Sequence, residues 1–441
     1  MVNTTVVIVG AGHSGLAMSR RLTERSIDHV VLERGGVANS WRADRWESLR
    51  LLTPNWQTSL PGQAYDGTNP DGYMSSLEVA DHLEAYSRAI ETPLRTGVTV
   101  TSVAPTDRGY RVTTADGEAW DAVSVVLANG GSGIANLPPV AAGVPAGILS
   151  LSSKTYRSPD LLPSGGVLVV GASASGAQLA DEIAASGREV TVSAGEHVRL
   201  PRRYRGRDVF WWMDAAGILD ERFDELDDIV RARHVPSPQL VGSADGRTVD
   251  LGSLRDRGVR VTGRLGRIHD GVAQFSGGLA NTARLADLKL DRLLDRFDAW
   301  AQAADADVPP DVERAAVERF APTEMDAAPV LDLDLAADGI ETIIWATGYR
   351  PDYSWLDVPV FDYKGRLSHE GGVVTKSPGL YVMGTSLLRR RRSTYIGGSG
   401  QDSDELAEHL EAHLAGSGSA RKAAEVEFAG HDGVGDLLDG A

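Results

Sequence analysis

Residues 6 to 33 constrain the fold more than any other stretch of the chain. Val6-Val7-Ile8-Val9 is a short, wholly apolar run rich in β-branched residues, which reads as a strand buried on both faces. Gly10-Ala11-Gly12-His13-Ser14-Gly15 follows, then a helical stretch through Leu16-Ala17-Met18 to about Arg25. A second apolar run, His29-Val30-Val31-Leu32, ends at Glu33. Strand, glycine turn, helix, strand and acid together form the first unit of a dinucleotide-binding fold. Gly10 makes the tight turn, Gly12 lets a pyrophosphate approach the backbone, and Gly15 lets the helix pack closely on the strand. The helix N-terminus offers unpaired N–H groups and partial positive charge to the phosphates. Glu33 is placed to take both ribose hydroxyls and would repel a 2′-phosphate. The unit therefore wants FAD or NAD and excludes NADP. His13 is read as a loop residue.

The pattern recurs about 160 residues later. Val167-Leu168-Val169-Val170 leads into Gly171-Ala172-Ser173-Ala174-Ser175-Gly176, a helix through Ile183, and the strand Glu189 to Ser193. Ser173 stands where the middle glycine would be and is small enough to keep the phosphate approach. The second strand ends in Ser193, not an acid, and Arg199, Arg202, Arg203, Arg205 and Arg207 follow. A hydroxyl with guanidinium groups at that edge suits a 2′-phosphate, so this unit is expected to take NADPH. FAD and NADPH in one chain imply hydride transfer from nicotinamide to flavin.

The expected fold is α/β with two Rossmann-like domains. A discontinuous FAD domain covers 1–155 and 335–441, and an inserted NADPH domain with a helical insert covers 156–334. Leu94 to Val103, Tyr110 to Thr114 and Asp121 to Ala128 read as further strands. Glu341 to Trp345 repeats the last of these and ends in Ala346-Thr347-Gly348-Tyr349. Residues 208 to 330 read as mostly helical, and the Gly-, Ser- and Ala-rich tail after Gly416 is expected to fray.

Composition limits the chemistry. There is no cysteine, which closes disulfide, thiolate-metal and dithiol-relay routes. Asp and Glu outnumber Lys and Arg, 61 to 44, for a formal charge of −17, which argues against nucleic acid as a partner. No apolar run reaches the roughly 18 residues of a membrane span. The N-terminus enters a strand pattern at once, without a signal-peptide pattern, so a cytoplasmic location is expected. His409 and His413 stand four apart without an acid to complete a metal site, so no metal is expected. A homodimer is left open.

With these motifs in place, the chain resembles the class B flavin-dependent monooxygenases, and within them the bacterial flavin-containing-monooxygenase-like proteins. The resemblance runs from about residue 4 to 412. It is carried by the paired glycine motifs, by Ala346-Thr347-Gly348-Tyr349, and by the segment Trp41 to Pro54. It implies that NADPH reduces FAD, that O2 adds at flavin C4a to give a (hydro)peroxyflavin, and that oxygen passes to a small organic substrate, first of all at nitrogen or sulfur. It implies that Gly10, Gly12, Gly15 and Glu33 hold FAD, with Trp41, Thr53 and Gln401 along the flavin. Ser173, Ser175, Gly176, Ser193, Arg199 and Arg202 would hold NADPH, and Thr347 and Tyr349 would line the hinge. The family's linker histidine is absent, Leu151 or Ser152 standing in its place. That departure leaves an NADPH oxidase or acceptor reductase as an alternative, beside a Baeyer–Villiger or decarboxylative oxygenase and a nucleotide-binding redox sensor. Arg389 to Arg392 reads as a solvated loop or a clamp for an acidic substrate. Trp211-Trp212 reads as packing against a helical lid or as a wall for an aromatic substrate.

Overall fold

The computed structural model describes residues 2–303, 308–326 and 328–431, with side chains as far as Gly416. The first sheet is built from β1 (Val2–Val9), β2 (His29–Glu33), β3 (Leu94–Thr96), β4 (Val100–Thr106), β5 (Gly109–Thr114) and β6 (Ala119–Leu127), in the order β3-β2-β1-β6-β5-β4. Helix α1 (His13–Glu24) joins β1 to β2, and α2 (Ser76–Ala89) precedes β3. The strand read over Leu94 to Val103 is in fact two. Gly97, at φ +71°, breaks it, and its halves pair at opposite edges of the sheet. The apolar ends of β1 and β6 are buried because parallel strands have helices and crossovers on both faces.

The second sheet consists of β7 (Leu149–Ser152), β8 (Gly166–Val170), β9 (Val190–Ser193), β10 (Arg260–Thr262) and β11 (Ile340–Trp345). All are parallel, in the order β10-β9-β8-β11-β7, with helix α3 (Ala174–Ala185) linking β8 to β9. This pairing moves two strands across the boundaries read from the sequence. β7 precedes residue 156 and β11 follows 334, yet both lie in the second sheet. The chain first rejoins the first sheet where Leu356 bridges Val103, and β12 (Leu380–Val382) then pairs parallel with β6. The region 208 to 330 also holds more strand than its charge pattern suggests. Besides β10, Leu265–His269 and Val272–Phe275 pair antiparallel and are joined by Asp332–Asp334.

Two helices of the insert, α4 (Val209–Ala215) and α5 (Leu279–Ala303), enclose a separate apolar core. Trp212 is fully buried there. Its ring stacks on Phe297 at 5.5 Å, and its Nε1–H donates to Tyr204 O at 2.7 Å. Trp211 packs edge-on against Trp300. The tryptophan pair is therefore packing. The last helix, α6 (Ser399–His431), lies against α1, with Arg25 paired to Asp404 at 2.9 Å. It runs on through the first part of the segment expected to fray, and residues 432–441 lie outside the described residues. No described helix is long and apolar enough to cross a membrane.

Candidate functional site

The two glycine loops have the same geometry. Gly10 and Gly171 both sit at φ +109°, where a side chain would be strained. A Cβ at Gly10 would come 2.6 Å from Ala128 O, and one at Gly171 would come 2.4 Å from Ala346 O. Ala128 directly follows β6 and Ala346 directly follows β11, so the two strand ends do the same work in the two sheets. Behind them, Cβ atoms at Gly15 and Gly176 would lie 2.0 and 1.9 Å from the carbonyl oxygens of Gly10 and Gly171. These two glycines pack the helix against the loop and do not face the cleft. A Cβ at Gly12 would meet nothing within 4 Å.

Both loops open into one cleft of about 1300 Å³ at the carboxyl ends of the two sheets. Gly10, Gly12, Glu33 and Trp41 line it from the first domain. Ser173, Ser175, Ser193 and Thr347 line it from the second. Glu33 is buried; its Oε2 accepts the Ala11 N–H at 2.9 Å and its Oε1 accepts the Gly35 N–H at 3.0 Å. Each oxygen keeps a lone pair for a ribose hydroxyl. Thr347 donates to Asn136 O at the crossover between the sheets, where Tyr349–Arg350 pairs with Ile134–Ala135. Tyr349 Oη lies 2.7 Å from Ser153 Oγ on the same crossover.

Buried polar atoms of the first loop lack partners within the protein. His13 Nε2 and Ser14 Oγ are unpaired, as is Thr385 Oγ1 on the neighbouring segment, and all three residues line the cleft. Burial pushes the His13 imidazole down to about 4, so it is neutral near pH 7. Open space at Gly12, the unpaired His13 and Ser14 atoms beside a helix N-terminus and a carboxylate at the end of β2 fit a dinucleotide with an unmodified ribose. The second loop repeats the space and the helix N-terminus without the acid.

Other residues expected at the site lie elsewhere. Thr53 is buried and Gln401 is exposed on the first turn of α6, and neither lines the cleft. Ser193 does line it, but its hydroxyl is engaged: it donates to Gly263 O at 3.1 Å and accepts from Leu265 N at 2.8 Å. Arg199 and Arg202 are not cleft residues. Arg199 is held by Asp250 and Asp287 at 2.8 and 2.7 Å. Arg202 is 0% exposed; it donates to Leu52 O at 2.8 Å and Asp208 Oδ1 at 2.7 Å, and its guanidinium lies over the Tyr73 ring. Arg205 and Arg207 pair with Asp298 and Asp311. The arginine-rich loop thus ties the insert together through carboxylates distant in sequence.

The run Arg389 to Arg392 behaves the same way. Arg389 and Arg390 bind Glu405, Arg391 binds Glu221, and Arg392 binds Asp214 and Asp220. Burial raises the Glu405 carboxyl, but hydrogen bonds from Arg390 and Arg389 hold it down to about 2. The run is neither a solvated loop nor a free clamp; it straps the insert to α6.

Three cleft residues were missed by sequence reasoning. Arg264 lies two residues past β10, beside the end of β9. A Cβ on Gly195 would come 3.8 Å from its Cγ, and its guanidinium has no ion pair among the described residues. Arg45 lies over the Trp41 ring at 5.1 Å with Ser132 Oγ at 3.4 Å, and burial lowers its pKa. Arg233 reaches the cleft from the insert. The only trace of them in sequence is position, and for Arg264 it is a basic residue just past a parallel strand. No group of three metal-ligating side chains occurs among the described residues. His409 Nδ1 instead lies 3.0 Å from Tyr381 Oη.

Comparison with known proteins agrees with this geometry. The family model described as pyridine nucleotide-disulphide oxidoreductase matches residues 7–207. An uncharacterized CzcO-like oxidoreductase of Geobacillus kaustophilus is 29% identical over 412 residues, covering 92% of this chain and 98% of that protein. A probable indole-3-pyruvate monooxygenase of Arabidopsis thaliana, YUCCA10, is 29% identical over 216 residues, 47% of this chain and 55% of that protein. Among solved structures, a flavin-containing monooxygenase from Stenotrophomonas maltophilia superposes with a TM-score of 0.64 at 19% identity, covering 94% of this chain and all of the other. Disulphide chemistry would need a cysteine pair, which this chain lacks. The chain is similar to these oxidoreductases and flavin-dependent monooxygenases and shares the two-dinucleotide fold of the solved structure.

Proposed function

We propose that the protein is an FAD- and NADPH-dependent monooxygenase that transfers one oxygen atom of O2 to a small organic substrate, at nitrogen or sulfur. The observation that carries this reading is the pair of matching glycine loops facing one cleft, with a carboxylate at the end of β2 and an unpaired arginine beside the end of β9. The α1 N-terminus and Glu33 would hold the FAD pyrophosphate and ribose. The α3 N-terminus, with Ser173 and Ser175, would hold the NADPH pyrophosphate. Arg264 takes over from Arg199 and Arg202 as the group for its 2′-phosphate. When bound, FAD reduced by NADPH supplies the activation of O2. His13, neutral and buried, orients the nucleotide without adding charge. The crossover through Thr347 and Tyr349 sets the approach of the two domains.

The deciding experiment is anaerobic reduction of the FAD-loaded protein by NADPH, followed by rapid mixing with oxygenated buffer. A transient spectrum distinct from both oxidised and reduced flavin, followed by substrate-dependent decay, is expected. Direct return to oxidised flavin with stoichiometric peroxide under every substrate would instead support an NADPH oxidase. Leu151 and Ser152 on β7 favour that second reading, since they stand where the resemblance calls for a histidine. Failure of NADPH to reduce the flavin would overturn both.

A further inference from the structure

Arg233 stands on the cleft wall where the insert meets the first domain. Its Nε and Nη2 donate to Leu387 O at 3.3 and 3.1 Å, which leaves the Nη1–Nη2 edge with free N–H groups. Burial lowers its pKa, and no acidic neighbour opposes that shift. The titratable side chain that feels its charge, His369, supplies no counter-charge. His369, partly buried, is pushed by desolvation and then by the charge of Arg233 down to about 4, and its Nδ1 accepts the Gly372 N–H. A half-buried guanidinium without an anion is costly, and this one occurs in a chain of formal charge −17 in which Arg199, Arg202, Arg205, Arg207 and Arg389 to Arg392 are all paired with carboxylates.

Thr385 is two residues before Leu387. Its hydroxyl is buried, has no partner within the protein and belongs to a residue of the same cleft. Arg233 is tied to Leu387, two residues beyond Thr385, so a guanidinium edge and an unpaired hydroxyl are offered from neighbouring stretches of the cleft wall, and such a pair can serve an oxyanion. The two cofactor pyrophosphates already have a glycine loop and a helix N-terminus each, and Arg264 stands at the far edge of the second sheet. We infer that Arg233 and Thr385 form an oxyanion subsite that takes the carboxylate of the substrate, so that the substrate class is a small organic acid. The inference rests on the monooxygenase reading for the identity of the molecule that brings the carboxylate. The same donors would also fit a phosphate oxygen of the nicotinamide cofactor, so the test includes that source.

The test uses oxidised, FAD-loaded protein and isothermal titration. The probes are (methylthio)acetate and (phenylthio)acetate, each beside its methyl ester, and NADP+. Wild type is expected to bind at least one acid about tenfold or more tightly than its ester, as a charge-assisted contact requires. Arg233→Gln should abolish that preference, and Thr385→Val should reduce it severalfold, while NADP+ affinity changes by no more than about twofold in either variant. Equal binding of acid and ester by wild type overturns the proposal. So does an Arg233→Gln protein that binds NADP+ about tenfold more weakly and keeps its acid preference, because the arginine then serves a phosphate. An acid held through Arg233 but not oxygenated on NADPH addition would leave the subsite standing and remove the monooxygenase reading.

Discussion

Replacing Arg202 by alanine separates the structural role of the arginine loop from the cofactor role that its composition suggests. The guanidinium is wholly buried between Asp208, the Leu52 carbonyl and the Tyr73 and Phe210 rings. Breaking a buried ion pair by removing one partner costs about 3–5 kcal/mol, because the other charge stays buried. Here Asp208 keeps two donors, Tyr73 Oη–H at 2.5 Å and the Phe210 N–H at 2.8 Å, so its charge is not abandoned. The loss therefore falls at the lower end, about 3 kcal/mol, with part of it coming from the uncovered Tyr73 and Phe210 faces. For a domain of this size that is about 6–12 °C in melting temperature. Scanning calorimetry gives the shift, and titration with adenosine 2′,5′-bisphosphate gives the affinity of the 2′-phosphate site. The expected result is a clear loss of stability with binding changed by no more than about twofold. A variant that melts like wild type but binds the bisphosphate ten times more weakly would refute the reasoning and restore Arg202 to the cofactor site.

Three further outcomes follow from particular distances. Arg264→Ala should weaken NADP+ by about 10- to 100-fold and leave NAD+ nearly unchanged, since it removes a charge-assisted contact worth about 1.5–3 kcal/mol; parallel titrations of the two nucleotides check it, and equal losses would count against it. Gly12→Ala should fold and fail to retain FAD, whereas Gly15→Ala, whose Cβ would lie 2.0 Å from Gly10 O, should fail to fold; circular dichroism and flavin content distinguish the two. His369, lowered to about 4 in the folded chain, stays neutral there while the unfolded chain takes up a proton near pH 6.5. The unfolded state thus binds more protons between those values, so stability falls as pH drops from about 6.5 towards 4. In His369→Gln that part of the slope should be missing from urea midpoints measured across the window.

The features legible in the sequence are those whose cause is local. The glycine loops, their helices and Glu33 can be read directly because a turn at φ +109° and a close helix contact admit little but glycine, and an acid at a strand end has few other uses. The second sheet is less legible. β7 and β11 look like parts of the first domain because they adjoin it in sequence, and only their hydrogen bonds to each other and to β8 place them in the second. The short strands after Val259 alternate too briefly, among too many charges, to reveal their period.

The arginines show the limit most clearly. A cluster such as Arg199 to Arg207 suggests anion binding when read along the chain, but 61 acidic residues stand against 44 basic ones, and the fold brings acids to the cluster from far away. Arg199 meets Asp287, Arg205 meets Asp298, and Arg392 meets Asp214. Density of charge in the sequence therefore marks where the fold needs cross-links. A ligand-binding arginine in such a chain is one that the fold leaves without an acid while taking it partly out of water, and that condition is set by what is missing around it in space. Arg233 meets it inside the cleft, Arg45 has no ion pair among the described residues but feels Asp44 beside it, and Arg264, exposed at the rim, meets its first half. None of the three belongs to an arginine cluster. The charge they lack is the charge that the two cofactors and the proposed anionic substrate would bring.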